Sequence, residues 1–306
     1  MCAKVCQELF PMNSYKGQRS AGYFMNDTLK ENLDLLLKNI TKDWDFVITI
    51  SASGRVRMGK SVLAMQIAVY WNYMIEKLYG IKNPFTIKDN IVFNGSRLIK
   101  QGNAVGKKYK YSPLIFDEAG ADLEGVKAMK KTTQAVKDFL RECGQYNLLI
   151  ILVLPDFFDL PKGIALSRCD FLINCYTSVD ENDYIERGFF NFYSRPAKKY
   201  LFLKGKKELD YNASAPDWSG EWDVFYPIDE VEYRAAKVAA LKSRESLSAK
   251  EERMKTYLKG CFIYMKAQGM SHAEIAEKIK DIMNIDTSFH YIGRTLGLEG
   301  NDEEED

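Results

Sequence analysis

The chain has only two histidines, His272 and His290, and neither stands near a cysteine pair. Its six cysteines (Cys2, Cys6, Cys143, Cys169, Cys175 and Cys261) have no metal-ligand spacing, so the sequence offers no zinc site. Without a secretory signal they read as reduced cytosolic thiols. Long apolar runs are scarce too. The N-terminal stretch MCAKVCQELFPMNSYKG lacks the apolar centre of a signal peptide. The longest run, in NLLIILVLPDFFDLP, holds about nine apolar residues before Pro155, against the roughly 20 that cross a bilayer. Nor is there an excess of either charge. Lys and Arg number 43 against 42 Asp and Glu, so bulk charge points to no nucleic acid and any basic surface is local. With 306 residues, 46% hydrophobic and 28% charged, the composition is that of a soluble globular chain with one large core and room for a satellite domain.

What the chain does have begins at ISASGRVRMGKSVLAMQIA, Ile50 to Ala68. Gly54, Gly59, Lys60 and Ser61 match every fixed position of a phosphate-binding loop. Glycines there let backbone amides wrap phosphates, the lysine reaches the β- and γ-phosphates, and the serine hydroxyl ligates Mg²⁺. The expected nucleotide-binding residues are therefore Gly54, Arg55, Val56, Arg57, Met58, Gly59, Lys60, Ser61 and Val62. Arg55 and Arg57 also read as solvated, or as facing a neighbouring subunit. The context fits: WDFVITI before the loop has the length and composition of a buried strand, and KSVLAMQIAVYWNYMIEKLYG after it reads as a long helix ending near Gly80. The helix would add its N-terminal partial positive charge.

A second short strand, YSPLIFDEAG, ends in Asp117-Glu118. Beside the loop strand, Asp117 would hold Mg²⁺ through water and Glu118 would polarise an attacking water, the arrangement of a Walker B motif. An Asp-Glu pair suggests hydrolysis by water rather than transfer to a small-molecule acceptor. No Asn/Thr-Lys-x-Asp guanine motif follows, so ATP is the expected nucleotide. The third strand, in NLLIILVLPDFFDL, is reached through a helix, and strand-helix-strand order implies a parallel α/β sheet. Its tip carries Asp156, either a phosphate sensor or part of a strand-ending turn. Arg141 and Arg168 are candidates to act across a subunit boundary as arginine fingers, although surface or ion-paired roles are commoner.

The segments GRVRMGKS, LIFDEAG and RECGQYNLLIILVLPDFFDL together resemble ATPases of the FtsK/HerA superfamily, in its compact viral, plasmid or Zot-like (zonular occludens toxin-like) form. The resemblance covers about residues 43–176. It implies a P-loop fold of the additional-strand class, ATP and Mg²⁺ as cofactors, and self-association, with a hexameric ring as one form. It also implies DNA as partner and a motor for translocation, packaging, transfer or replication of a mobile element or virus.

Composition then divides the rest. Residues 1–40 read as a helical extension whose LKENLDLLLKNITKD either packs on the core, the default, or reaches a neighbour, and 41–227 as the ATPase core. Within the core, 183–226 reads as a basic, aromatic β-hairpin, with RPAK as its turn. Lys198 and Lys199 there either grip nucleic acid or form a solvated edge. Residues 228–256 read as an exposed, charged helical connector. Residues 257–298 read as three helices resembling a helix-turn-helix, the second opened by a Ser271–Glu274 capping box and the third capped near Asp286 or Thr287. Ser288, His290, Tyr291 and Arg294 are its DNA-facing candidates; the alternative is an oligomerisation module. Residues 299–306 form an acidic tail. An ATP-set oligomeric switch or DNA-binding regulator, without translocation, remains the second functional reading.

Overall fold

In the computed structural model, residues 23–53, 57–123 and 131–297 are described. They form two compact units divided after Lys237. The first contains α1 (Asp27–Ile40), β1 (Phe46–Ala52), α2 (Lys60–Tyr79), α3 (Ile87–Asn90), β2 (Ile91–Val92), α4 (Gly95–Lys108), β3 (Pro113–Phe116) and α5 (Gly120–Leu123). There follow α6 (Lys131–Glu142), β4 (Leu149–Val153), β5 (Phe171–Val179), β6 (Ile185–Tyr193), α7 (Arg195–Gly205), β7 (Trp218–Glu221) and the first turns of α8 (Glu230–Ala267).

The seven strands form one sheet in the order β2-β3-β4-β1-β5-β6-β7. All residues of β1 are buried, as a continuous apolar run requires when both faces of a parallel sheet are covered. β4 lies parallel between β1 and β3, so a strand separates the loop strand from the one ending in Asp117. β5 pairs parallel on the other side of β1, and β6 and β7 continue antiparallel. The carboxyl ends of β1, β3 and β4 thus share one edge, where ligands bind in open α/β sheets.

α2 is apolar nearly all round, and its side chains from Val62 to Asn72 are buried. One side of it meets α1, whose Leu29, Leu33, Leu37 and Ile40 form a fully buried stripe. Tyr70 donates to Asp34 of α1 at 2.8 Å. On another side Gln66 Nε2 donates to the carbonyls of Asp223 and Phe225, at 2.6 and 2.8 Å. Those two bonds tie the segment after β7 to the helix that follows the loop.

Residues 183–226 do not form the expected hairpin. β6 pairs antiparallel with β5, through an Asp180 turn whose carboxylate accepts from the amides of Asn182 and Tyr184, and with β7 beyond α7. RPAK opens α7 instead. Proline suits the first turn of a helix because its missing N–H would have no intrahelical partner there, so the same residue fits either reading in sequence.

The second unit comprises the remainder of α8, α9 (His272–Met283) and α10 (Phe289–Leu296). Phe262, Ile275, Ile279 and Ile292 are its fully buried core, each contributing roughly 1.5–3 kcal/mol on burial. The capping box forms: the Ser271 side chain accepts from the Glu274 amide, and the Glu274 carboxylate accepts from the Ser271 amide. α10 is capped by Ser288, just beyond the expected Asp286 or Thr287. Among the described residues, no helix is long and apolar enough to cross a membrane.

Candidate functional site

The loop joining β1 to α2 ends in two left-handed residues, Arg57 at φ 60° and Gly59 at φ 82°. Gly54, Arg55 and Val56 lie outside the described residues. Gly59 is required twice over. Its φ favours glycine, and a Cβ there would stand 2.4 Å from Cη2 of the fully buried Trp222. α2 starts with no side-chain cap and no acid in its first turn. No side-chain carboxylate of that turn offsets the positive end of the helix dipole, which lies at the wall of a cleft.

Ser61, in that first turn, donates from Oγ to Oδ1 of Asp117 at 2.9 Å. This brings the start of α2 and the end of β3 together across the intervening β4. The Glu118 amide donates to the same Oδ1 at 3.1 Å. Glu118 itself sits at φ 61°, a strained conformation for a residue with a side chain. Asp117 is almost wholly buried, and its second oxygen, Oδ2, accepts from the Tyr233 hydroxyl at 2.5 Å. Lys237 Nζ lies 3.2 Å from that Oδ2 and 2.6 Å from Oε1 of Glu118.

These contacts set the electrostatics. Burial holds the Lys60 ammonium below its ordinary value, opposed in part by Glu118 and Asp117. Burial also lowers Lys237, but Asp117 and Glu118 outweigh it and keep that group above its usual value. The Tyr233 hydroxyl is raised by burial and then by the neighbouring Asp117 charge, so it remains a donor.

Together these residues line a cleft of about 580 Å³. Arg57, Met58, Gly59, Lys60, Ser61 and Val62 form one wall, with Asp117, Glu118 and Pro155 at the strand ends. Arg187, Val224, Tyr226, Tyr233, Arg234 and Lys237 close the other side. That second group escaped sequence reasoning. Residues from 228 onward read as an exposed connector, whereas Tyr233 is only 4% exposed. The spacing of Tyr233 and Lys237, one helical turn, was the available signal, and it is common on solvated helices.

The other expected site residues go elsewhere. Asp156 does not line the cleft; it caps a short 3₁₀ turn through the Phe158 amide and accepts from Tyr211 Oη, each at 2.9 Å. Arg168 is held inside the unit by Asp45 and the Leu140 carbonyl. An arginine so committed is not poised to reach a neighbour. Arg141 is exposed on α6, 3.7 Å from Asp138. Lys198, expected on a basic face, is fully buried and donates to the Ala165 carbonyl at 2.6 Å, because α7 replaces the hairpin and turns this position inward. Burial lowers its pKa. Lys199 is exposed. In the second unit the Ser288 hydroxyl is engaged as the cap of α10, accepting from the Tyr291 amide at 3.2 Å. His290, Tyr291 and Arg294 are exposed on that helix, although the Tyr291 ring also packs edge-on against buried Phe262.

No protein-family profile matches the chain, and no curated protein matches it either. Among solved structures, it is similar to the genome-packaging NTPase of Sulfolobus turreted icosahedral virus 2 in complex with AMPPCP. There the identity is 20% and the TM-score 0.34, over 51% of this chain and 95% of that one. It is likewise similar to the DNA-packaging ATPase of Sulfolobus turreted icosahedral virus, at 19% identity and a TM-score of 0.35, over 51% of this chain and 95% of that one. A likeness at this level carries neither ligand nor activity from one chain to the other.

Proposed function

We propose that the chain is an ATP-hydrolysing, DNA-handling motor acting in translocation, packaging, transfer or replication of a mobile element or virus. The observation that supports it most is the meeting of Lys60, Ser61, Asp117 and Glu118 in one cleft at an uncapped helix start. The Gly54–Ser61 loop and the first amides of α2 bind the phosphates, and Lys60 adds a cation that burial keeps poorly hydrated. Ser61 Oγ and the Asp117 carboxylate are hard oxygen donors 2.9 Å apart, a donor set that fits Mg²⁺. Bound there, Mg²⁺ would neutralise charge on the phosphates. Glu118, partly exposed to the cleft, orients the attacking water and takes its proton.

In this reading ATP is the nucleotide and the protein self-associates, a hexameric ring included, in the cytosol of a cell or host. Exposed Arg141 is then the better candidate than Arg168 for contacting a neighbour's nucleotide. DNA is met by the outer face of α10, through His290, Tyr291 and Arg294. The test is hydrolysis by the purified chain with and without long random-sequence DNA, single- and double-stranded. Stimulation by either supports the motor. Hydrolysis indifferent to any random DNA refutes it and leaves the ATP-set switch.

A further inference from the structure

The Asp117 carboxylate has two oxygens and about four acceptor positions, and four donors of this chain point at it. Ser61 Oγ and the Glu118 amide share Oδ1; Tyr233 Oη and Lys237 Nζ share Oδ2. Lys237 also holds Oε1 of Glu118, so a single ammonium bridges both acids at 3.2 and 2.6 Å. It is only 27% exposed, which limits the screening of that contact by water. Tyr233 and Lys237 are one turn apart on α8 and therefore present one face of that helix to the acidic pair.

An internal cation on two carboxylates that would otherwise receive a divalent ion and a water is a competitor for both. We propose that Tyr233 and Lys237 are positioning residues of the hydrolytic site, and that the Lys237 ammonium competes with Mg²⁺ for the acidic pair. Tyr233 fixes the Asp117 carboxylate against α8. Lys237 balances the two negative charges and, while paired, withholds Glu118 from water. With Mg²⁺ and nucleotide held by Ser61 and Asp117, Lys237 would release the acidic pair and Glu118 would be free to act as a base. The first two turns of α8 thus become part of the nucleotide site rather than a passive connector. This inference rests on the cleft being a nucleotide site.

The test measures binding, not turnover. Anisotropy of a fluorescent, non-hydrolysable ATP analogue is followed across a Mg²⁺ series for the full-length wild type, Lys237→Ala and Lys237→Arg, with Lys237→Gln to preserve the packing of the stem. Removing the competing cation lowers the Mg²⁺ concentration for half-maximal binding by about threefold to tenfold, the net effect of losing one hydrogen-bonded contact. Lys237→Arg restores the wild-type requirement. Tyr233→Phe shifts the Mg²⁺ concentration for half-maximal binding while leaving binding at saturating Mg²⁺ intact. An unchanged or increased Mg²⁺ requirement in both Lys237→Ala and Lys237→Gln overturns the proposal. A wild type that binds no analogue at any Mg²⁺ concentration overturns the nucleotide-site reading instead.

Discussion

Replacing Gly59 by alanine separates two demands that the structure places on one atom. Gly59 and Gly80 are the residues flanking α2, and both are left-handed, at φ 82° and 68°. A Cβ at Gly80 meets nothing within 4 Å, whereas one at Gly59 lies 2.4 Å from Trp222 Cη2 and 3.0 Å from Cζ2. Both substitutions carry the left-handed cost of about 1–2 kcal/mol. Only Gly59→Ala adds the displacement of a fully buried indole, an overpacking term of about 1–3 kcal/mol. At roughly 2–4 °C per kcal/mol for a unit of this size, Gly59→Ala lowers Tm by about 10 °C and Gly80→Ala by about 4 °C. Differential scanning calorimetry of the two variants measures the difference directly. Trp222→Leu provides the cycle: the shortened side chain makes room, so adding Gly59→Ala to it costs less than adding it to the wild type. Equal losses for Gly59→Ala and Gly80→Ala, or no relief in the Trp222→Leu background, would show that the indole does not pack on the loop.

Three further outcomes follow from named contacts. Arg168→Ala leaves Asp45 without its partner in a site where both side chains are at most 20% exposed, and destabilises by about 3 kcal/mol in chemical denaturation; a neutral result would return Arg168 to the pool of free arginines. Asp156→Ala removes the acceptor of Tyr211 and the cap at Phe158, and costs about 1–2 kcal/mol of stability. It leaves hydrolysis per folded molecule within a few-fold of wild type, and a collapse of turnover at intact stability would restore the sensor role. The Ser271 amide and hydroxyl hold the Glu274 carboxyl below its usual pKa. A depressed folded pKa means that the capping box adds stability above the unfolded pKa and loses it as pH falls through the folded one. The melting difference between wild type and Glu274→Gln therefore narrows on acidification, and a carboxyl ¹³C titration at the ordinary glutamate value would contradict the box.

The parts legible in the sequence were those determined over short stretches. The strand WDFVITI, the glycine at position 59, α2 ending at Gly80 and the Ser271 box depend on neighbours within a few turns of chain. The placing of β4 between β1 and β3 was implied by the resemblance to additional-strand ATPases rather than by any local pattern. What escaped lies across long sequence separations. Tyr233 and Lys237 reach Asp117 over 116 and 120 residues, and nothing local distinguishes their helix from a solvated one. Trp222 reaches Gly59 from far along the chain, held by its bridge to Met25, its amide bond to Gly188 and the Gln66 bonds to the Asp223 and Phe225 carbonyls. Pro196 and Lys198 misled for a related reason: a proline is equally at home in a turn and in a first helical turn, and a lysine reads as solvated until its helix is known to face inward.

The most direct test of the central claim is calorimetric titration of Mg²⁺·ATPγS into the wild type, Lys60→Ala and Glu118→Gln, with phosphate release from ATP measured on the same preparations. A nucleotide site at the start of α2 predicts binding by the wild type, its loss in Lys60→Ala, and its retention in Glu118→Gln with phosphate release gone. Binding that survives Lys60→Ala, or phosphate release that survives Glu118→Gln, would contradict the roles assigned to the cleft.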